Sequence, residues 1–286
     1  MAASTIKAGA TVGNLWGDVI ATIARASSPQ EVREYVAHWA QDERHRQTLS
    51  DTLFAPMAQA DMGGQLFVAD IELGDRKGKK RLADTVDMEP FLRMPFADAI
   101  RFFRERFGDE KRLTEVIRAY RERADYAAKR TLQDLADRVV VELERSLTEG
   151  GAIDDFARSL ADSAIGQPNQ TSYLDNVFRT NIATAYGAGR LREIERSADV
   201  VPFVQYRTSG DSRVRPAHAE LDGLIFRTSN PEWKRIAPPN SYRCRCVIVT
   251  LDEEDVAGRR VSEVTPQMLS GIDFKDPPTD LIKNPL

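Results

Sequence analysis

Cysteine and histidine are scarce in this chain, with two cysteines and three histidines among 286 residues. So few cysteines exclude a disulfide framework, and a bridge between Cys244 and Cys246, one residue apart, would be strained. Free thiols or thiolate ligation remain. No uncharged apolar run approaches the ~20 residues of a membrane span, and the first residues lack a basic start followed by an apolar stretch. No membrane partner is expected. The sequence also lacks a glycine-rich phosphate loop, a cofactor fingerprint and a nucleophile motif, so it is not expected to be an enzyme. A formal net charge of −4 argues against a protein dedicated to coating DNA.

What is present suffices for substantial cores. The chain is 42% hydrophobic, and its length supports two domains, or one domain with a long helical extension. The expected fold class is α+β, a mainly helical N-terminal two thirds followed by a small mixed α/β module. We divide the chain into a mostly helical region (1–110), a helical region with a long helix (111–200), an α+β module (201–251) and a C-terminal extension (252–286).

Hydrophobic spacing carries the helical expectations. Val32, Tyr35, Val36, Trp39 and Ala40 share one face of a helix expected over 29–49, which starts at Pro29. His38 and His45 flank that helix as ordinary surface histidines. Residues 65–73, QLFVADIEL, alternate weakly and suggest a strand or hairpin, and the basic cluster 76–81 reads as a solvated loop. From Arg112 to Leu147 apolar residues advance in threes and fours. Such a helix is about 50 Å long, so it should break, or project and pack against another helix or subunit. Gly150 and Gly151 end it, and GQPNQ (166–170) marks a loop. Thr171 can cap a helix running to about Ser197. Within it Gly187 and Gly189 suggest a close backbone approach, and Arg179, Asn181 and Arg190 can tie it to the C-terminal module.

The segment from Asp211 to Cys246 holds the chemistry. Residues 202–209 alternate as a strand, Pro216 sits at its preferred place in the first turn of a short helix through His218 to Leu221, and residues 224–227 form another strand. Residues 243–251, RCRCVIVTL, read as a third strand that points both cysteines one way and Arg243 and Arg245 the other. His218, Cys244 and Cys246 can thus supply three ligands, with Asp211 as a candidate fourth. Three readings of the group stay open. It can hold structural Zn²⁺, it can use His218 as a base with Arg213 and Arg215 steadying an anion, or it can be a metal-free knot of hydrogen bonds. Between Arg207 and Cys246 eight basic residues face four acidic ones, which allows weak, sequence-independent DNA contact. After Leu251 a short helix is expected near Pro266–Leu269, then an extended tail, given four prolines from Pro266 onward.

These residues resemble the phage Mu F-like minor head proteins, also called phage head morphogenesis proteins. The resemblance rests on FRTNIATAYGAGR (178–190), on the box Asp211, Arg213, Arg215 and His218, and on the turn Leu221, Asp222 and Gly223. It continues through Trp233, Pro238, Pro239, Cys244, Arg245 and Cys246, and MPFADAIRFFRERF (94–107) is similar to a segment such proteins carry. The resemblance implies a minor capsid protein acting in head assembly near the portal and packaged DNA, with portal, capsid or scaffold proteins as partners. Such a protein would pass from the host cytoplasm into the virion. The alternative is a nucleic-acid-acting enzyme or toxin-like effector built on Asp211, Arg213 and His218.

Overall fold

The structure is a computed structural model, and it describes residues 2–75, 91, 94–162 and 172–283. In chain order come α1 (Ala2–Ile23), α2 (Pro29–Gln41), α3 (Glu43–Asp75), α4 (Phe96–Phe107), α5 (Glu110–Thr148), α6 (Ile153–Asp162) and α7 (Ser172–Arg196). Then follow β1 (Phe203–Arg207), α8 (Pro216–Ala219), β2 (Ile225–Arg227), a 3₁₀ turn (Pro231–Ile236), β3 (Val247–Leu251), α9 (Glu253–Val256), α10 (Pro266–Ser270) and α11 (Pro278–Lys283). The α+β expectation holds, with helices first and the small sheet near the C-terminal end. The basic cluster 76–81, the GQPNQ loop and Thr171 lie outside the described residues. Among those described, no helix is long and apolar enough to cross a membrane.

The chain forms two compact units, one of residues 1–55 and 120–178, the other of 56–119 and 179–286. In the first, α2 starts at Pro29 with the Ser28 side chain capping Glu31 N–H, as an N-cap oxygen does for an orphan donor. Val32, Val36 and Trp39 are buried, and Trp39 meets Trp16 edge to face with centroids 5.0 Å apart. The single helix expected over 29–49 is interrupted. Asp42 leaves the helical conformation and accepts the Arg44 N–H at 2.8 Å, capping α3. The long stripe is real and unbroken. No Gly or Pro interrupts Glu110–Thr148, and Leu132, Leu135, Val139 and Leu143 are each at most 1% exposed. The helix ends at Gly150, whose φ of 82° suits only glycine well.

The second unit corrects the reading of residues 65–73. They belong to α3, and every residue from Met57 to Ala69 is buried. Close helix contact explains the small residues there. A Cβ on Gly189 of α7 would lie 2.1 Å from the Asp61 carbonyl oxygen of α3, and one on Gly64 would lie 2.3 Å from that of Tyr186. Around this contact a polar cluster is buried. Arg112 pairs with Glu193 and donates to Gln65 Oε1 at 2.5 Å, while Arg192 pairs with Asp61.

The sheet is antiparallel in the order β2-β1-β3, so β1 is central. Alternation along β1 gives it two faces. Val204 and Tyr206 join Phe226, Ile248 and Trp233 in a core shared with Phe67 of α3 and Leu191 of α7. Phe203 packs on the other side with Ile225, Leu251 and Val256. Arg190 fastens α7 to this sheet as expected. Its guanidinium is fully buried 3.9 Å from the centre of the Phe67 ring and donates to the Ile248 carbonyl. Arg179 is exposed and Asn181 buried.

The tail is not simply extended. α10 forms where expected, but Ile272 enters the sheet core and Phe274 and Leu281 are buried. The backbone N–H groups of Asp273 and Phe274 donate to the Asn240 carbonyl at 3.0 and 3.1 Å. Paired backbone and buried side chains outweigh the proline content here.

Candidate functional site

Three short turns around β1 build the site. After β1, Gly210 adopts φ 68° and hands the chain to Asp211, whose Oδ1 accepts the Arg213 N–H at 3.1 Å. Pro216 then starts α8, and His218 N–H donates to the Arg215 carbonyl at 3.0 Å. The next turn is Leu221-Asp222-Gly223. Asp222 accepts from Thr208 N–H at 2.7 Å, and Gly223, at φ 79°, donates its N–H to the Tyr206 carbonyl at 2.9 Å, closing β1 onto β2. Trp233 lies 1% exposed in the core under the sheet, and Pro238 and Pro239 are buried with a cis peptide bond between them. Gly187 of α7 faces this pair, since a Cβ there would stand 2.5 Å from the Pro238 carbonyl oxygen.

The cysteines do not lie on the strand. Arg243 has φ 58°, a left-handed conformation rare for a side chain other than glycine, asparagine or aspartate, and β3 begins only at Val247. The sulfurs converge all the same. Cys244 Sγ lies 3.8 Å and Cys246 Sγ 3.7 Å from one atom, His218 Nδ1. The ligand atoms of these three residues all fall within 4.8 Å of one another. His218 is 2% exposed, and its Nε2 is buried without a hydrogen-bond partner among the described residues.

Charge is shared unequally between the thiols. The hydrogen bond from Cys246 holds Cys244 below the ordinary thiol range, with His218 acting the same way. That contact and burial hold Cys246 well above it, so one proton stays with the sulfur pair. Tyr206 stands behind Cys246, to which its hydroxyl is hydrogen-bonded, and it accepts from Asn240 Nδ2 at 2.9 Å. Burial, then the adjacent sulfurs, push the Tyr206 hydroxyl pKa up, so it remains a donor. Sequence reasoning missed Tyr206 and Asn240. Tyr206 reads as one more core position of an alternating strand, and Asn240 as a turn residue.

Asp211, the candidate fourth ligand, has other partners. Both its oxygens accept from Arg245 at 2.6 Å, and Arg213 reaches it at 3.3 Å. The Arg245 guanidinium holds the carboxyl well below the usual carboxylate range, and Asp211 is outside the His–Cys–Cys group. Arg215 turns to the Tyr242 carbonyl at 3.0 Å. The box therefore divides, with His218 facing inward to the sulfurs and Asp211, Arg213, Arg215 and Arg245 forming an exposed edge. An assembled Asp–Arg–His catalytic group is not what the fold produces.

Residues 137–249, from the second half of α5 to β3, match the family described as Phage Mu protein F like protein. Over these residues the chain is similar to the Mu F-like proteins. Its relatives include the putative capsid assembly protein F of Escherichia phage Mu, 28% identical over 213 residues, which cover 66% of this chain and 47% of the relative. Another is the Mu-like prophage FluMu F protein of Haemophilus influenzae, 37% identical over 95 residues, covering 33% of this chain and 22% of the relative. The chain thus spans less than half the length of either. No solved structure matches it. The matched segment holds the α7 glycines, the divided box and the sulfur turn, so the region of similarity is also where the unusual geometry lies.

Proposed function

We propose that this chain is a minor head component of a phage or prophage that acts in capsid assembly, with portal, capsid or scaffold proteins as partners. The observation that carries this reading is the similarity, over most of the chain, to a protein named for capsid assembly. The site supports a non-enzymatic role. His218, the residue best suited to act as a base, is buried against two sulfurs, and the edge around it offers arginines instead of an assembled acid–base pair. Site and family support the reading together, because a fold alone hosts many functions.

The exposed edge suits a contact with packaged DNA. The Arg213 side chain is 77% exposed, and Arg215, two residues on, is exposed too. Phosphate contacts of this kind are sequence-independent and salt-sensitive. Tagged chain expressed from its own phage or prophage should co-purify with portal or scaffold protein and remain in mature particles. Its deletion should lower the yield of filled heads. Arg213→Ala with Arg215→Ala should weaken DNA retention and reduce the salt slope by about 1 for each phosphate no longer neutralised. Normal filled heads without the chain would refute the assembly role. Nucleic-acid cleavage by the purified chain, abolished in a folded His218→Ala variant, would replace it with the enzyme reading.

A further inference from the structure

We propose that His218 Nδ1 and the thiolates of Cys244 and Cys246 bind a divalent zinc ion, which closes the turn at 240–246 onto α8. The distances fit. Zn–S bonds of about 2.3 Å and Zn–N bonds of about 2.0 Å, set at a tetrahedral angle, place nitrogen and sulfur about 3.5 Å apart. The two observed separations are 3.8 and 3.7 Å. An ion entering between the three atoms would need shifts of a few tenths of an ångström.

The arrangement also makes more sense with an ion than with hydrogen bonds alone. An imidazole nitrogen has either one lone pair or one proton, yet two sulfurs address the same Nδ1. Only one can be served by a hydrogen bond at a time, whereas a cation serves both. Burial sharpens the point. His218 and Cys244 are at least nine-tenths buried, and a cation between the sulfurs would displace the proton they share and offset the charge of two adjacent thiolates. The Nε2 side of the ring has no hydrogen-bond partner among the described residues. Its orientation must therefore be set by packing and by what holds Nδ1.

The surroundings are those of a ligand set. Tyr206, itself held by Asn240, places its hydroxyl on Cys246, as outer groups steady thiolate ligands. Both cysteines are free thiols. The turn that carries them has no regular structure and contains the left-handed Arg243. Both cysteine ligands follow that residue closely, so bonds to the ion would fix the backbone just after it. The fourth tetrahedral position falls to a solvent oxygen, because Asp211 is committed to Arg245.

The test is metal analysis of the full chain purified without added chelator, followed by stripping and titration with Co²⁺ and Cd²⁺. Stoichiometric zinc is expected, with a thiolate-to-cobalt charge-transfer band on reloading. Cys244→Ser and Cys246→Ser should each lose the ion, and Asp211→Asn should keep it. Tyr206→Phe should weaken binding by about 10–100-fold. Because the cysteine variants can fail to fold, the stripped wild-type chain provides an independent readout. If it gives no thiolate–metal absorption with Cd²⁺, or if its thiols react with an alkylating reagent equally fast with and without Zn²⁺, the proposal is wrong. It is equally wrong if Asp211→Asn loses the ion while remaining folded.

Discussion

Among the described residues, the first unit buries two polar side chains, Ser50 and Thr131. The second buries fourteen, including Asp61, Arg112, Arg190, Glu193 and His218. The first is held by apolar stripes of helices, where affinity for the neighbour is non-directional and volume matters more than identity. The second is held by groups that must each find one partner, since an orphaned buried polar atom costs about 1–3 kcal/mol. Packing of the first kind tolerates sequence drift. Packing of the second kind specifies residues, and the box, the α7 glycines and the sulfur turn all lie there.

The largest effect should come from placing a charge in the apolar unit. Leu132→Asp puts a carboxylate where the side chain is 0% exposed and should cost on the order of 5 kcal/mol. Leu132→Met, which keeps the volume, should cost less than about 1.5 kcal/mol. Thermal or denaturant unfolding measures both, and equal losses would break the comparison. Next is Arg112→Ala in the polar unit, which leaves buried Glu193 only the more distant guanidinium of Arg196 at 3.6 Å and should cost about 3 kcal/mol, the low end for breaking a buried pair. An Arg112→Ala chain as stable as wild type would mean that the polar cluster is not what holds that unit. The smallest effects come from one substitution made in each unit. Gly189→Ala must push α7 away from the Asp61 carbonyl and should destabilise by about 1–3 kcal/mol. Gly17→Ala meets nothing within 4 Å, and on an exposed helical face it should stabilise by about 0.5–1 kcal/mol. The same sign for both would contradict the close backbone contact assigned to Gly189.

The same division governs what could be read from sequence. The α5 stripe was legible because one face is buried and the other is not, so the 3.6-residue period survives. In α3 it does not survive. Met57 to Ala69 are all buried, and Gly64, which looks like a breaker, is the small residue that helix contact requires. Prolines announced the starts of α2, α8 and α10 because each sits at an N-terminal helical position. The three candidate ligands stood out by rarity, whereas their partners Tyr206 and Asn240 did not. No local pattern tells an ordinary strand tyrosine from one whose hydroxyl meets a sulfur forty residues on. The late start of β3 was hidden for a similar reason, since an arginine in a left-handed conformation is a product of tertiary surroundings.

Asn240 spans two jobs, its side chain holding Tyr206 and its carbonyl accepting from Asp273 and Phe274. Phe274 also meets Tyr242 edge to face at 5.1 Å, and Gly271 packs so tightly on Ala217 of α8 that a Cβ there would stand 2.4 Å from the alanine methyl. During translation, then, the cysteine turn and the histidine helix leave the ribosome roughly thirty residues before the segment that clasps both, a lag of about 2–6 seconds at bacterial elongation rates. Over that interval the thiols are made but not yet enclosed, which is when an ion or an oxidant would have its easiest access to them.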